Sequence, residues 1–179
     1  MRHGTAVAML LVIGSIVSGC DTPSTTVGSA QRTASDSAEQ VMYGVRSALT
    51  SAGLRRGELT ADTMFALDAA TRFELRGIRA QLTDTLGRLR GVLTAAEGVF
   101  WLTRSTLETR GNAVVVSDSS GRRIEGKAIR YEAVRNQLAS DSPFVATAGA
   151  RRLSGVGFTA DPGLFTIRCT AQCSGSLPR

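Results

Sequence analysis

Apolar and polar residues alternate with a period of two through most of the chain from about Val41 onward. Leu59, Ala61, Thr63, Phe65 and Leu67 stand at odd positions, with Glu58, Thr60 and Asp62 between them. Thr71, Phe73 and Leu75 alternate with Arg72, Glu74 and Arg76, and Ile78, Ala80 and Leu82 alternate with Arg79, Gln81 and Thr83. Side chains on a strand point to opposite faces in turn, so this rhythm predicts half-buried β-strands with one apolar face. Ala113 to Val116 is a continuous apolar run suited to a central strand. Asp118-Ser119-Ser120-Gly121 and Asp161-Pro162-Gly163 carry the residue types of tight turns. No stretch after the first forty residues shows an amphipathic helical pattern longer than about two turns.

Glycine punctuates the strands in a recurring way. An apolar residue, any residue and then glycine occur at Leu75-Arg76-Gly77, Leu89-Arg90-Gly91, Ile124-Glu125-Gly126 and Leu153-Ser154-Gly155, and strand-like sequence continues past each. Glycine inside a strand suits a bend or bulge. The spacing is irregular, so the pattern predicts a folded-over antiparallel sheet with kinked strands and not a solenoid.

The first forty residues read differently. Arg2 and His3 precede an apolar stretch from Ala6 to Val17, about half the length a helix needs to cross a bilayer. With Val17-Ser18-Gly19-Cys20 at its end, this segment resembles a bacterial lipoprotein signal peptide over residues 1–19. That resemblance implies lipidation of Cys20 and cleavage before it. Two acyl chains anchor a protein where one would not, and Asp21 after the cysteine implies retention at the inner membrane. Residues 20–40 then form the lipidated cysteine and a tether. Its Thr-, Ser-, Gly- and Ala-rich composition gives a root-mean-square span of roughly 25 Å and a limit of about 60 Å.

Charge narrows the partners. The chain of 179 residues has 21 lysines and arginines, 20 of them once Arg2 is gone, against 15 acidic residues. Lys127 is the only lysine. Arginine pairs with phosphate as a bidentate fork, so anionic lipid is a natural partner, although solvated outer strand faces account for many of these charges. Arg72, Arg76 and Arg79 are outward candidates for headgroup or partner contact. Nucleic acid is not expected, because only 5% of residues are aromatic and they do not interleave with the basic ones.

The only histidine, His3, falls in the signal peptide. The mature chain therefore has no imidazole for nucleophilic catalysis or for a zinc site. Its carboxylates are scattered, with no recognisable pair. No enzyme, metal or cofactor is expected. Cys169 and Cys173 are expected to form a disulfide in an oxidising compartment. Four extended residues would hold their α-carbons about 13 Å apart, beyond bridging range, so the bond requires a turn over Thr170-Ala171-Gln172.

Several passages together resemble the LptC family. They are Gly57-Glu58-Leu59-Thr60-Ala61-Asp62, Leu75-Arg76-Gly77-Ile78, Leu93-Thr94-Ala95, Gly111-Asn112-Ala113-Val114-Val115-Val116, and Gly121-Arg122-Arg123-Ile124-Glu125. Ile129-Arg130-Tyr131, Asn136-Gln137-Leu138-Ala139-Ser140-Asp141, Ser142-Pro143-Phe144 and Gly155-Val156-Gly157-Phe158 with Asp161 continue the likeness to about Ile167. Each passage is weak alone; their order and spacing carry the resemblance. It implies an all-β fold, a single antiparallel β-jelly roll open along one side, over residues 41–168, with 169–179 as a tail. It also implies a periplasmic function. The domain would accept lipopolysaccharide from the membrane subunits of an inner-membrane ABC transporter and pass it to a homologous β-jelly-roll bridge protein by edge-to-edge strand pairing. Familiar members are held by a transmembrane helix, whereas this chain would use the lipid on Cys20.

The apolar candidates for contact with acyl chains are Leu59, Phe65, Leu67, Phe73, Leu75, Ile78, Leu82 and Leu93. They are interspersed with the small residues Ala61, Thr63, Gly91, Ala95 and Ala113, which implies a core that a ligand completes. The docking edges are expected near Val45 to Leu54 and near Leu164 to Ile167. Two other readings stay open: a lipid-carrier lipoprotein that joins no bridge, and a structural envelope lipoprotein with a filled core.

Overall fold

The computed structural model describes residues 37–176. The segment expected to be a signal peptide, Cys20 with its expected lipid, and most of the expected tether lie outside the described residues. Every element within them is a strand: β1 (Gln40–Ser51), β2 (Leu54–Leu67), β3 (Arg72–Thr83), β4 (Leu89–Trp101), β5 (Thr106–Ser117), β6 (Arg123–Glu132), β7 (Gln137–Ala148), β8 (Arg151–Ala160) and β9 (Ile167–Ser176). They form one antiparallel sheet in sequence order, β1 to β9. This is the all-β, folded-over sheet that the alternation predicts. The apolar run at Ala113–Val116 lies in β5, the middle strand of the order, and both predicted turns fall between strands.

A crease crosses all nine strands near their midpoints. The Cα pairing skips Gly44 on β1 and Gly77 on β3, and it shifts register at Thr94/Glu97, Arg110/Ala113, Gly126/Arg130, Ser140/Pro143 and Ser154/Val156. Gly44, Gly77, Gly111 and Gly157 all have positive φ there, a conformation costly for any residue with a β-carbon. At Gly77 a side chain would also strike the Asp62 carboxylate. The recurring glycines at 77, 126 and 155 thus mark the crease, as the sequence implies. Gly91 does not. It stays in register with Leu82 and Ser117 and is required for a different reason, given below.

The crease explains one departure from the sequence pattern. If both arms of a folded strand are to face the same interior, the inward positions must change parity at the fold or span an extra pair of residues. Buried residues accordingly lie three apart at Ala61/Met64 on β2 and Leu75/Ile78 on β3, and four apart at Thr109/Ala113 on β5. Reading β2 as one unbroken alternation from Leu59 to Leu67 placed Phe65 and Leu67 on the wrong face. Met64, paired with Leu75, takes the inward place. Carbonyls released where the pairing breaks are met by buried hydroxyls: Thr109 Oγ1 donates to Ile129 O at 2.7 Å, and Ser140 Oγ donates to Ala128 O at 2.7 Å.

The sheet also runs past residue 168, where the sequence reading ended the domain. Cys169 and Cys173 belong to β9, which pairs with β8. They are bonded, with α-carbons 6.0 Å apart. Gln172, at φ 50°, lies at the β9 side of the crease and supplies the local bend that shortens the chain. So small a ring removes limited freedom from the unfolded chain. Cys169→Ser with Cys173→Ser is expected to cost at most about 2 kcal/mol, with faster amide exchange confined to β9. Equal exchange of β9 in both proteins would refute a stapling role.

Candidate functional site

The folded arms enclose one apolar cluster. Leu59, Leu75, Ile78, Leu82 and Leu93, five of the eight sequence candidates, meet in it with exposures of 3% or less, and Phe73 packs against it. Phe65 and Leu67 are buried but lie outside the cluster, because their pairing with Glu74 and Arg72 sets them on the opposite face. The Arg76 guanidinium lies 5.3 Å from the Phe65 ring centre, a cation–π contact. Arg72 donates to Asp68 and Glu74 at 2.7 and 2.6 Å, so its charge is spent locally.

The second half of the chain supplies what the sequence reading omitted. Ile124, Ile129, Tyr131, Leu138, Phe144, Phe158 and Leu164 are among the most buried residues of the same cluster. Their own period-two spacing, as in Ile129/Tyr131 and Phe144/Ala146, carries the signal for most of them. Small residues such as Ala61, Ala95 and Ala113 therefore share the interior with large ones from β6–β8, and scarcity of aromatics does not leave it hollow. The Tyr131 hydroxyl donates to Asn136 Oδ1 at 2.9 Å and faces Arg56 O at 3.4 Å. Burial pushes its phenol well above the ordinary value, so it stays neutral.

Leu164 is the exception, since nothing in the local pattern marks it. It lies in the β8–β9 loop (161–166), has φ 54°, and is fully buried. The loop is braced from within: Asp161 accepts from Gly163 N at 3.0 Å and Thr166 N at 2.6 Å. It is also braced from outside, where Arg122 Nη1 donates to Leu164 O at 2.8 Å and Phe165 O at 3.1 Å. Gly91 on β4 lies directly against it, and a β-carbon there would overlap Pro162 O. The loop is a strap that connects the β8–β9 end of one arm to β4 and the β5–β6 turn on the other.

Beyond the strap the interior reaches solvent. On the inner face, Ile124, Ala146, Leu153 and Gly175 are successive neighbours across β6 to β9. Ile124 is fully buried, Ala146 is nearly so and Leu153 only partly. Ala146, Leu153 and Gly175 of this row floor a cleft of about 390 Å³, lined also by Phe165, Ile167, Arg122, Arg151 and Arg152. We refer to it as the mouth. β1 and β9 close the sheet order at its two ends and each has one neighbour only, so each offers an unpaired edge. The first matches the expected position near Val45 to Leu54; the second is β9 itself, beyond the expected Leu164 to Ile167.

No family model and no curated protein matches the chain. Among solved structures it is similar to LptH, described as the LptA homologous periplasmic component of the conserved lipopolysaccharide transport device from Pseudomonas aeruginosa. The likeness has a TM-score of 0.55 at 11% identity and covers 68% of this chain and 94% of that one. It establishes the fold: an LptA-like β-jelly roll built from one folded, open-edged sheet.

Proposed function

We propose that this protein is a non-enzymatic, membrane-tethered periplasmic conduit for lipopolysaccharide, of the LptC type. In this reading Cys20 carries the lipid anchor and the tether holds the domain off the inner membrane. The domain receives lipopolysaccharide from the ABC transporter's membrane subunits and hands it to a homologous bridge protein. The observation that carries it is a folded sheet with an apolar interior, a solvent-open mouth at one end and an unpaired strand at each edge. Acyl chains gain about 0.8 kcal/mol per buried methylene, a drive for entry at the mouth and for insertion between the two arms where they part. Edge strands allow similar domains to join through backbone hydrogen bonds, which would extend the trough from one to the next. The solved structure of LptH, which shares this fold, is named for lipopolysaccharide transport.

The test is photocrosslinking in cells from reactive residues at Phe73 and Leu153, which border the interior, with Phe65 on the opposite face as control. Glycolipid adducts at Phe73 and Leu153 that depend on transporter ATP hydrolysis, with none at Phe65, are the expected result. Adducts independent of ATP hydrolysis would instead identify a lipid carrier outside any bridge. A complete lack of adducts would identify a structural envelope domain.

A further inference from the structure

We infer that the mouth is a binding site for a phosphorylated amphiphile, with Arg122, Arg151 and Arg152 holding the phosphate and Leu153, Phe165 and Ile167 holding the first methylenes of the tail. The inference rests on the reading of the interior as a place for acyl chains and adds to it a headgroup site at one end.

Charge is the first observation. Arg46, Arg55, Arg72, Arg88, Arg104, Arg110, Arg123, Arg130 and Arg135 each form an ion pair with a carboxylate. Among the described residues Arg122, Arg151 and Arg152 form none, as is also true of Arg56, Arg76, Arg79, Arg90, Lys127 and Arg168; what sets these three apart is that they border one cleft that no acidic side chain lines. Three guanidinium groups gathered on one cleft without a counter-charge repel one another, and an anion removes that repulsion. Arg90 adds a fourth cation nearby, its guanidinium 4.9 Å from the Phe165 ring centre.

Register is the second. Arg151 lies two residues before Leu153 on β8 and shares its inner face, whereas Arg152 starts from the opposite face and meets the cleft at its rim. Arg122, in the turn before β6, borders the cleft beside the strap carbonyls it binds. Arg151 pairs with Ala148 at the β7–β8 turn, at the very rim of the arm. Along β8 the order from the rim inward is cation and then half-buried apolar residue, and from Leu153 the row continues sideways into the buried Ala146 and Ile124. An anionic lipid has the same order, phosphate and then methylenes. Arg122 spends one nitrogen on the Leu164 and Phe165 carbonyls, but a guanidinium has five N–H donors and can also bind phosphate. The exposed Phe165 ring, half open to solvent, provides an apolar wall beside this collar.

Calorimetric titration of the full chain at low ionic strength tests the site. The probes are dodecyl phosphate and dodecyl maltoside, both below their micelle concentrations, and inorganic phosphate. The comparison protein is Arg151→Gln with Arg152→Gln; both positions are exposed, and an unchanged thermal midpoint verifies folding. Dodecyl phosphate should bind the original chain and lose about tenfold in affinity in the variant, while dodecyl maltoside binds both proteins alike. Inorganic phosphate alone should bind far more weakly. Equal affinity of dodecyl phosphate for both proteins would overturn the arginine site and leave the acyl interior standing. Inorganic phosphate binding as tightly as dodecyl phosphate would overturn the amphiphile and leave a simple anion site. Failure of both amphiphiles to bind either protein would remove the acyl interior and the headgroup site together.

Discussion

Phe158→Ala is expected to lower the free energy of unfolding by about 3–5 kcal/mol in urea titrations. Phe158 is 1% exposed, and its ring centre lies 4.9 Å from that of Phe144 at a tilt of 55°. Truncation removes the buried ring, leaves a cavity, and forfeits an aromatic pair worth about 0.5–1.5 kcal/mol beyond its area. Against a typical domain stability of about 5–15 kcal/mol, the loss is a large fraction. The position also bears on function. A loss below about 1 kcal/mol would show that the arms repack around missing volume, and that Phe158 is not part of a tightly seated wall.

The second large effect is expected at Gly91. This glycine has an ordinary φ, so backbone strain is not the reason for it; the reason is space. A β-carbon at Gly91 would overlap Pro162 O and come within 3.1 Å of Val116 O, both backbone atoms that no side-chain rotation can clear. Either β4 or the strap must move. β4 is paired on both sides, whereas outside its own loop the strap is held chiefly by Arg122. Gly91→Ala should therefore lift the strap and draw Leu164 from the interior, at a cost of up to about 1.5–3 kcal/mol of apolar burial. Two measurements distinguish this from general loosening. Amide exchange should rise in 161–166 more than in β5–β7, and binding of an apolar dye or of dodecyl maltoside should increase. Unchanged exchange in the strap would show that β4 yields instead, and that the loop does not govern access to the interior.

Much of the candidate site was legible before any tertiary structure. Leu59, Leu75, Ile78, Leu82 and Leu93 could be placed because strand alternation exposes an inward face wherever the backbone stays regular. Even the crease left a trace on β3, where apolar positions run 73, 75 and then 78, 80, 82 with Gly77 between them. On β2 the trace is hidden. Thr63 and Phe65 continue the odd rhythm of Leu59 and Ala61, so a reader of the sequence has no cue to change face at Asp62. Phe65 and Leu67 are buried by another surface, with Arg76 laid across the Phe65 ring, and apolar character alone does not say which surface will cover it.

The mouth and the strap follow a different logic. Arg122, Arg151 and Arg152 are scattered among many arginines, and only the pairing of β7 with β8 and the passage of the strap bring them to one cleft. Leu164 is a lone leucine in a loop. Its burial depends on the two arms closing to the distance that one side chain can span.

By itself the sequence determined an all-β fold over the described residues, one apolar face per strand, the turns, most of the crease glycines, and a domain without imidazole chemistry, since the single histidine is His3. These are local properties, set by side-chain period and by backbone freedom residue by residue. The tertiary structure alone decided that the arms fold so that parity changes on β2, and that β9 is part of the sheet. It also decided that one loop crosses the interior and that a basic cleft lies where the apolar row meets solvent. Those outcomes depend on distances between residues far apart in the chain, and alternation along a strand holds no information about which strand ends will meet.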